Sequence, residues 1–303
     1  MFGSLKFLFP MFSMATLLPM FTNTKMTQTL ALARAGHGPE VILTIRQKAP
    51  PPKPPKAIME LVTYPSPAGK IVGYLTNPPT DGKRHPAIIW ISGGDTAIGD
   101  FWTPQPRAND QTASVFRERG IVVFYPSLRG LNGNPGQIEG FYGELDDIVA
   151  ATAWLKSQPF VDADRVYLGG HSTGGTMALL AAEYADHWKA VFAFGPVSDP
   201  RNYGAKMVPI DADNESTARL RAPVYWLNSI TVPTYVIEGD QMSNIGELYT
   251  LKLASENAKV HFSVGVGCTH FSVLRPTSET IAELILNDKI DLADGTGGLA
   301  ASC

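Results

Sequence analysis

One stretch constrains this chain more than any other. Residues 165–182 read RVYLGGHSTGGTMALLAA. A short apolar run ends in two glycines, a serine follows, two more glycines flank it, and a helical pattern begins at once. Gly170-His171-Ser172-Thr173-Gly174 fits G-x-S-x-G with a predicted strand before it and a predicted helix after it. That pattern describes a tight turn that lifts a serine hydroxyl above a sheet. Glycine is required two residues to either side, because side chains there would collide within the turn. The turn also sets the serine at a helix N-terminus, where backbone N–H groups and the helix dipole favour negative charge. A phosphate-binding turn fits poorly, since neither G-x-G-x-x-G nor a terminal G-K-[ST] is present. Ser172 is therefore the candidate nucleophile.

The rest of the chain supplies a sheet to carry this turn. AIIWIS (87–92), IVVFYP (121–126), RVYLG (165–169), AVFAF (190–194), TYVIEG (234–239) and VHFSV (260–264) are continuous apolar runs. Runs without alternation suit strands covered on both faces. MELVTY (59–64) and IVGYLT (71–76) predict a leading antiparallel pair. Between the strands lie helical faces: Leu145, Ile148, Val149, Thr152 and Leu155, then Met177, Leu180, Ala181 and Tyr184, then Ile281, Leu284 and Ile285. Strand–helix alternation predicts an α/β architecture, a mostly parallel central sheet flanked by helices on both faces. With the serine turn, this is the α/β-hydrolase fold. Residues 201–230 fit the alternation poorly and are expected to form an insert or lid.

A proline-rich run, APPPKPPK (49–56), reads as a semi-rigid spacer. The expected division is a possible signal peptide or mis-assigned start over 1–36, a Pro-rich linker over 37–56, the catalytic domain over 57–287 and a C-terminal tail over 288–303. Lys6, the apolar stretch from Phe7 to Phe21 and the small residues of ALARAG (31–36) have the layout of a secretory leader. With a leader, the protein would be secreted or periplasmic; with a start at Met20 or Met26, it would be cytoplasmic. Pro10 and Pro19 and the shortness of that stretch argue against a stable membrane span. The net charge of -3, with no dense Lys/Arg run, argues against a nucleic-acid partner. Cys268 and Cys303 lack the spacing of a metal site and are read as unpaired, with a disulfide between them left open.

A serine hydroxyl needs a base. In this fold the chain order is nucleophile, acid, histidine. His37 and His85 precede the serine. His171 lies inside the turn and points away from its neighbour, His187 ends a helix, and His261 sits within the last strand. His270 follows that strand on a loop and is the candidate base. Asp240 follows TYVIEG and takes the expected place of the acid, with Asp199 and Glu247 as alternatives. The oxyanion donors are expected to be the N–H of Thr173 and an N–H of the Ser92-Gly93-Gly94-Asp95 loop, with Gly94 the candidate.

Several segments resemble the catalytic domain of the prolyl oligopeptidase family of serine peptidases. They are YPSLRGLNGNPG (125–136), GELDDIVAATAWLKSQPFVDADRVYLGGHSTGG (143–175) and FGPVSDP (194–200), with the likeness running from about 57 to 287. The resemblance implies a Ser/Asp/His triad, an acyl-enzyme and no cofactor. Three departures accompany it. Ser92-Gly93-Gly94-Asp95 stands where H-G-G-P is frequent, Glu238-Gly239-Asp240 replaces H-G-x-x-D, and the residues present leave no room for the family's large N-terminal propeller. The expected function is a serine hydrolase acting on a small-molecule or short-peptide substrate, at peptide or related acyl bonds. The alternatives are a carboxylesterase, an acyl transferase, or a non-catalytic binding protein on the same fold.

Overall fold

In a computed structural model, the described residues are 29–290, 299, 302 and 303. Residues 1–28, which hold most of the expected leader, lie outside them. Eight strands form one sheet: β1 (Met59–Ser66), β2 (Gly69–Thr76), β3 (His85–Ile91), β4 (Val122–Pro126), β5 (Val161–His171), β6 (Val191–Phe194), β7 (Thr234–Gln241) and β8 (Val260–Thr269). Their order is β1-β2-β4-β3-β5-β6-β7-β8. β1 and β2 pair antiparallel, β2 meets β4 antiparallel, and every pairing from β4 to β8 is parallel. The expected strands and the leading hairpin are all present, and the α/β-hydrolase fold is the one observed.

Burial on both faces explains why the strands read as unbroken apolar runs. Along β3, Ala87, Ile89 and Ile91 join one core cluster, while Ile88 and Trp90 join the other. The first cluster is closed by residues of α1 (Leu30–Arg34), α3 (Gly143–Lys156), α4 (Thr173–Tyr184) and α6 (Ile245–Ala254). The second is closed by α2 (Ser114–Glu118) and α7 (Leu274–Leu286). Parallel strands end on the same side of such a sheet. The segments after β3, β5, β6, β7 and β8 therefore gather at one edge, and the candidate residues lie on them. Among the described residues no helix is long and apolar enough to cross a membrane.

Two segments gain definition from the structure, and one reading is corrected. Residues 29–56 run against the domain. Leu30 is fully buried, Val41 bridges Ile210, and the N–H of Gln47 donates to Gly130 O at 2.7 Å. A proline run still offers carbonyls, and Tyr74 Oη donates to that of Pro52 at 2.6 Å. Residues 201–230 include α5 (Glu215–Arg219) and short 3-10 turns, and they are packed rather than free. Arg221 is fully buried there, its guanidinium donating to the carbonyls of Thr217 and Glu139. Finally, Cys268 and Cys303 are disulfide-bonded, so reading them as unpaired is corrected. The spacing in sequence is long, but Cys303 N–H donates to Val266 O at 3.1 Å, which brings the chain end alongside β8.

The disulfide closes a loop of 35 residues in sequence separation. Loop closure of this length stabilises a fold by about 2–4 kcal/mol. Cys303→Ser is expected to lower the unfolding free energy by that amount in a denaturant titration under oxidising conditions. The difference from wild type should vanish in the presence of a dithiol reductant.

Candidate active site

β5 runs into α4 with one residue between them, Ser172, at φ 56° and ψ -117°. A non-glycine residue in this region is strained by about 1–3 kcal/mol and persists only where its surroundings hold it. Here they do. Ser172 N–H donates to Phe194 O at 2.7 Å, and its carbonyl accepts from Thr176 N–H at 2.9 Å. The neighbouring glycines are needed for close approach of backbone. A Cβ on Gly170 would lie 2.3 Å from Gly174 O, and one on Gly174 would lie 2.2 Å from Ile91 O. The expectation that these side chains would clash is thus refined: the clash is with the first turn of α4 and with the end of β3.

The loop after β3 abuts the same turn. Thr173 Oγ1 donates to Gly94 O at 2.7 Å. A Cβ on Gly93 would lie 3.2 Å from that of Ser172. Thr173 opens α4, so its N–H belongs to the first turn of donors that a helix leaves unpaired. The backbone of Gly94, at φ 71°, borders the same space. Asp95, next in the loop, accepts from Gln47 Nε2 at 2.6 Å, which ties the loop to the N-terminal strap.

His270 stands just past β8. Its Nδ1 is 2.9 Å from Oε2 of Glu238, with the glutamate side chain 1% exposed and the imidazole 12%. Glu238 Oε1 accepts from Gly239 N–H at 2.8 Å, so both carboxylate oxygens are engaged. Asp240, expected in this role, is elsewhere. Its Oδ1 accepts from Gly267 N–H at 2.8 Å, and the residue is half-buried. The physical reason is a register irregularity in the β7–β8 pairing between Gly239 and Gln241. It turns Asp240 onto the backbone of β8 at Gly267 and leaves the buried end of the strand to Glu238. The two alternatives are also committed to other partners. Asp199 pairs with Arg201, and Glu247 accepts from Ser198 N–H at 2.7 Å.

Gly195 links these parts. It has φ 58°, and a Cβ there would lie 2.4 Å from His270 Cε1 and 2.7 Å from Glu238 Oε2. Its chain neighbour Phe194 holds the N–H of Ser172. The serine and the histidine–glutamate pair thus converge on the turn after β6. His171, expected to point away, has its ring centroid 4.5 Å from that of His270. Sequence reading missed Glu238, Gly195 and this contact. A lone acid at the end of an apolar strand was the available signal for Glu238. The arrangement has the parts of acyl transfer: a hydroxyl at a helix N-terminus, an imidazole, and a buried carboxylate to orient it.

The model of the prolyl oligopeptidase family matches residues 107–241. The uncharacterized peptidase YtmA of Bacillus subtilis is 26% identical over 220 residues, covering 66% of this chain and 79% of its own. Dipeptidyl-peptidase 5 of Porphyromonas gingivalis is 29% identical over 133 residues, 41% of this chain and 19% of that protein. Among solved structures, a puromycin-hydrolyzing peptidase of Mycobacterium tuberculosis superposes with a TM-score of 0.63 at 18% identity. That match covers 81% of this chain and 41% of the other. The chain thus spans less than half the length of the latter two. The resemblance drawn from the sequence is borne out.

Two substitutions separate the carboxylates. Glu238→Gln is expected to lower kcat by about 10³–10⁴-fold, as for a triad that loses its acid, while Asp240→Asn stays within a few-fold of wild type. Equal losses, measured by steady-state hydrolysis, would contradict the assignment. Gly195→Ala is expected to displace the histidine and lower kcat by at least about tenfold, since misplacement of about 1 Å is enough for larger losses. Hydrolysis by folded Gly195→Ala protein at the wild-type rate would count against the tight packing beneath the pair.

Proposed function

We propose that this chain, an α/β-hydrolase whose residues 107–241 carry the prolyl oligopeptidase match, hydrolyses peptide or related acyl bonds through an acyl-enzyme on Ser172. The observation that carries the reading is the buried Glu238–His270 pair seated on Gly195, beside the turn that holds Ser172. Nδ1–H of His270 donates to Glu238, which leaves Nε2 as the basic nitrogen. Nε2 takes the Ser172 proton as Oγ attacks the acyl carbon. The N–H groups of Thr173 and Gly94 receive the oxyanion. His270, now an imidazolium, is stabilised by Glu238 and gives its proton to the leaving amine or alcohol. Water, activated by the same imidazole, then releases the acid and restores Ser172.

Burial makes the Glu238 carboxylate effective. Its attraction to the imidazolium is little screened there, whereas a solvated carboxylate would contribute far less. The peptidase names of the relatives support an amide as the bond cleaved. The same machinery also acts on activated esters, so ester cleavage is expected alongside it.

A fluorophosphonate probe and a substrate panel test this reading. Wild type is expected to be labelled on Ser172, and Ser172→Ala to be unlabelled while retaining its fold. Short aminoacyl amides and short-chain esters should both be turned over. Turnover of esters alone would refute the peptide reading, and failure to label folded wild type would refute the catalytic one.

A further inference from the structure

The residue before the nucleophile has no part in the mechanism above, yet its ring lies against that of His270. We infer that His171 is a positioning residue that fixes the main chain and ring of His270; this rests on the role proposed for His270. His171 Nε2 lies 3.0 Å from the carbonyl oxygen of His270. A carbonyl only accepts, so Nε2 carries the hydrogen and the tautomer is set. The two rings are also in contact, 4.5 Å between centroids and tilted by 41°. Phe271 stands edge-on to both rings, 5.4 Å from that of His171 and 5.0 Å from that of His270.

The other side of the ring faces the oxyanion loop. Nδ1 of His171 is buried and has no hydrogen-bond partner among the described residues. A Cβ on Gly93 would lie 3.3 Å from it. One imidazole is therefore wedged between the loop after β3 and the loop after β8, and it is covalently adjacent to Ser172. Movement of His270 away from Ser172 would break the donated bond and open the ring contact.

The wedge also stays uncharged. Burial, and then the nearby His270, pull the His171 pKa down to about 3. A second cation at this distance would oppose protonation of His270 during the reaction. A neutral ring gives contact and one donated hydrogen bond without that opposition.

Glutamine and methionine are of similar length, and only glutamine carries an N–H donor. Comparison of His171→Gln with His171→Met therefore isolates the donated bond. The expected result is a kcat about tenfold lower in His171→Met, the worth of one hydrogen bond, with KM within about threefold. His171→Gln should recover most of the loss. Equal kcat values for the two variants, whether both high or both low, would overturn the inference. Fluorophosphonate labelling of wild type in the same assay keeps this outcome distinct from failure of the catalytic reading, which would show as no labelling at all.

Discussion

The close approach of α4 to the ends of β3, β5 and β6 governs the rest of the site. Helix and strands meet without side chains between them, because Gly170 and Gly174 leave backbone oxygens where Cβ atoms would stand. This contact forces Ser172 into its strained conformation and supplies the hydrogen bonds that keep it there. It also fixes where the loop after β3 can lie, since Thr173 Oγ1 holds the Gly94 carbonyl. The positions of the serine and of its neighbouring N–H groups follow from one packing constraint and not from separate adjustments.

A second close contact does the same for the histidine. Gly195 has no side chain, so the imidazole of His270 and the carboxylate of Glu238 settle directly on the turn after β6. The pair is almost fully shielded from water. Burying the Glu238 carboxylate without donors would be costly, and the imidazole supplies one only while their geometry is kept. The disulfide from Cys268, two residues before His270, and the Asp240–Gly267 hydrogen bond both hold the end of β8 that leads into the imidazole. Asp240 thus braces the strand end beside the histidine on which it was expected to act.

Much of this was legible in the sequence, for identifiable reasons. The strands are buried on both faces, so each appears as a continuous apolar run. The serine turn is local, so its glycines sit at fixed offsets from it. The acid is not local. Glu238 and Asp240 are two residues apart on one strand, and the choice between them depends on an irregularity in pairing with β8, which no spacing within β7 reveals. The chain order of serine, acid and histidine is satisfied by either. The disulfide escaped for a related reason: its partners meet only because Leu299 and Cys303 lie against β8, far from them in sequence. Residues 37–56 look like a linker by composition, and their docking depends on backbone hydrogen bonds to which composition is blind.

The proposed mechanism requires Ser172, His270 and Glu238 to act as one unit with the donors of Thr173 and Gly94. The most direct measurement is a crystal structure of the protein after reaction with a phosphonate inhibitor. Phosphorus should be bonded to Ser172 Oγ, with one phosphonyl oxygen accepting from the N–H groups of Thr173 and Gly94. His270 Nδ1 should remain on Glu238. An adduct on another residue, or an imidazole turned to Asp240, would contradict the account.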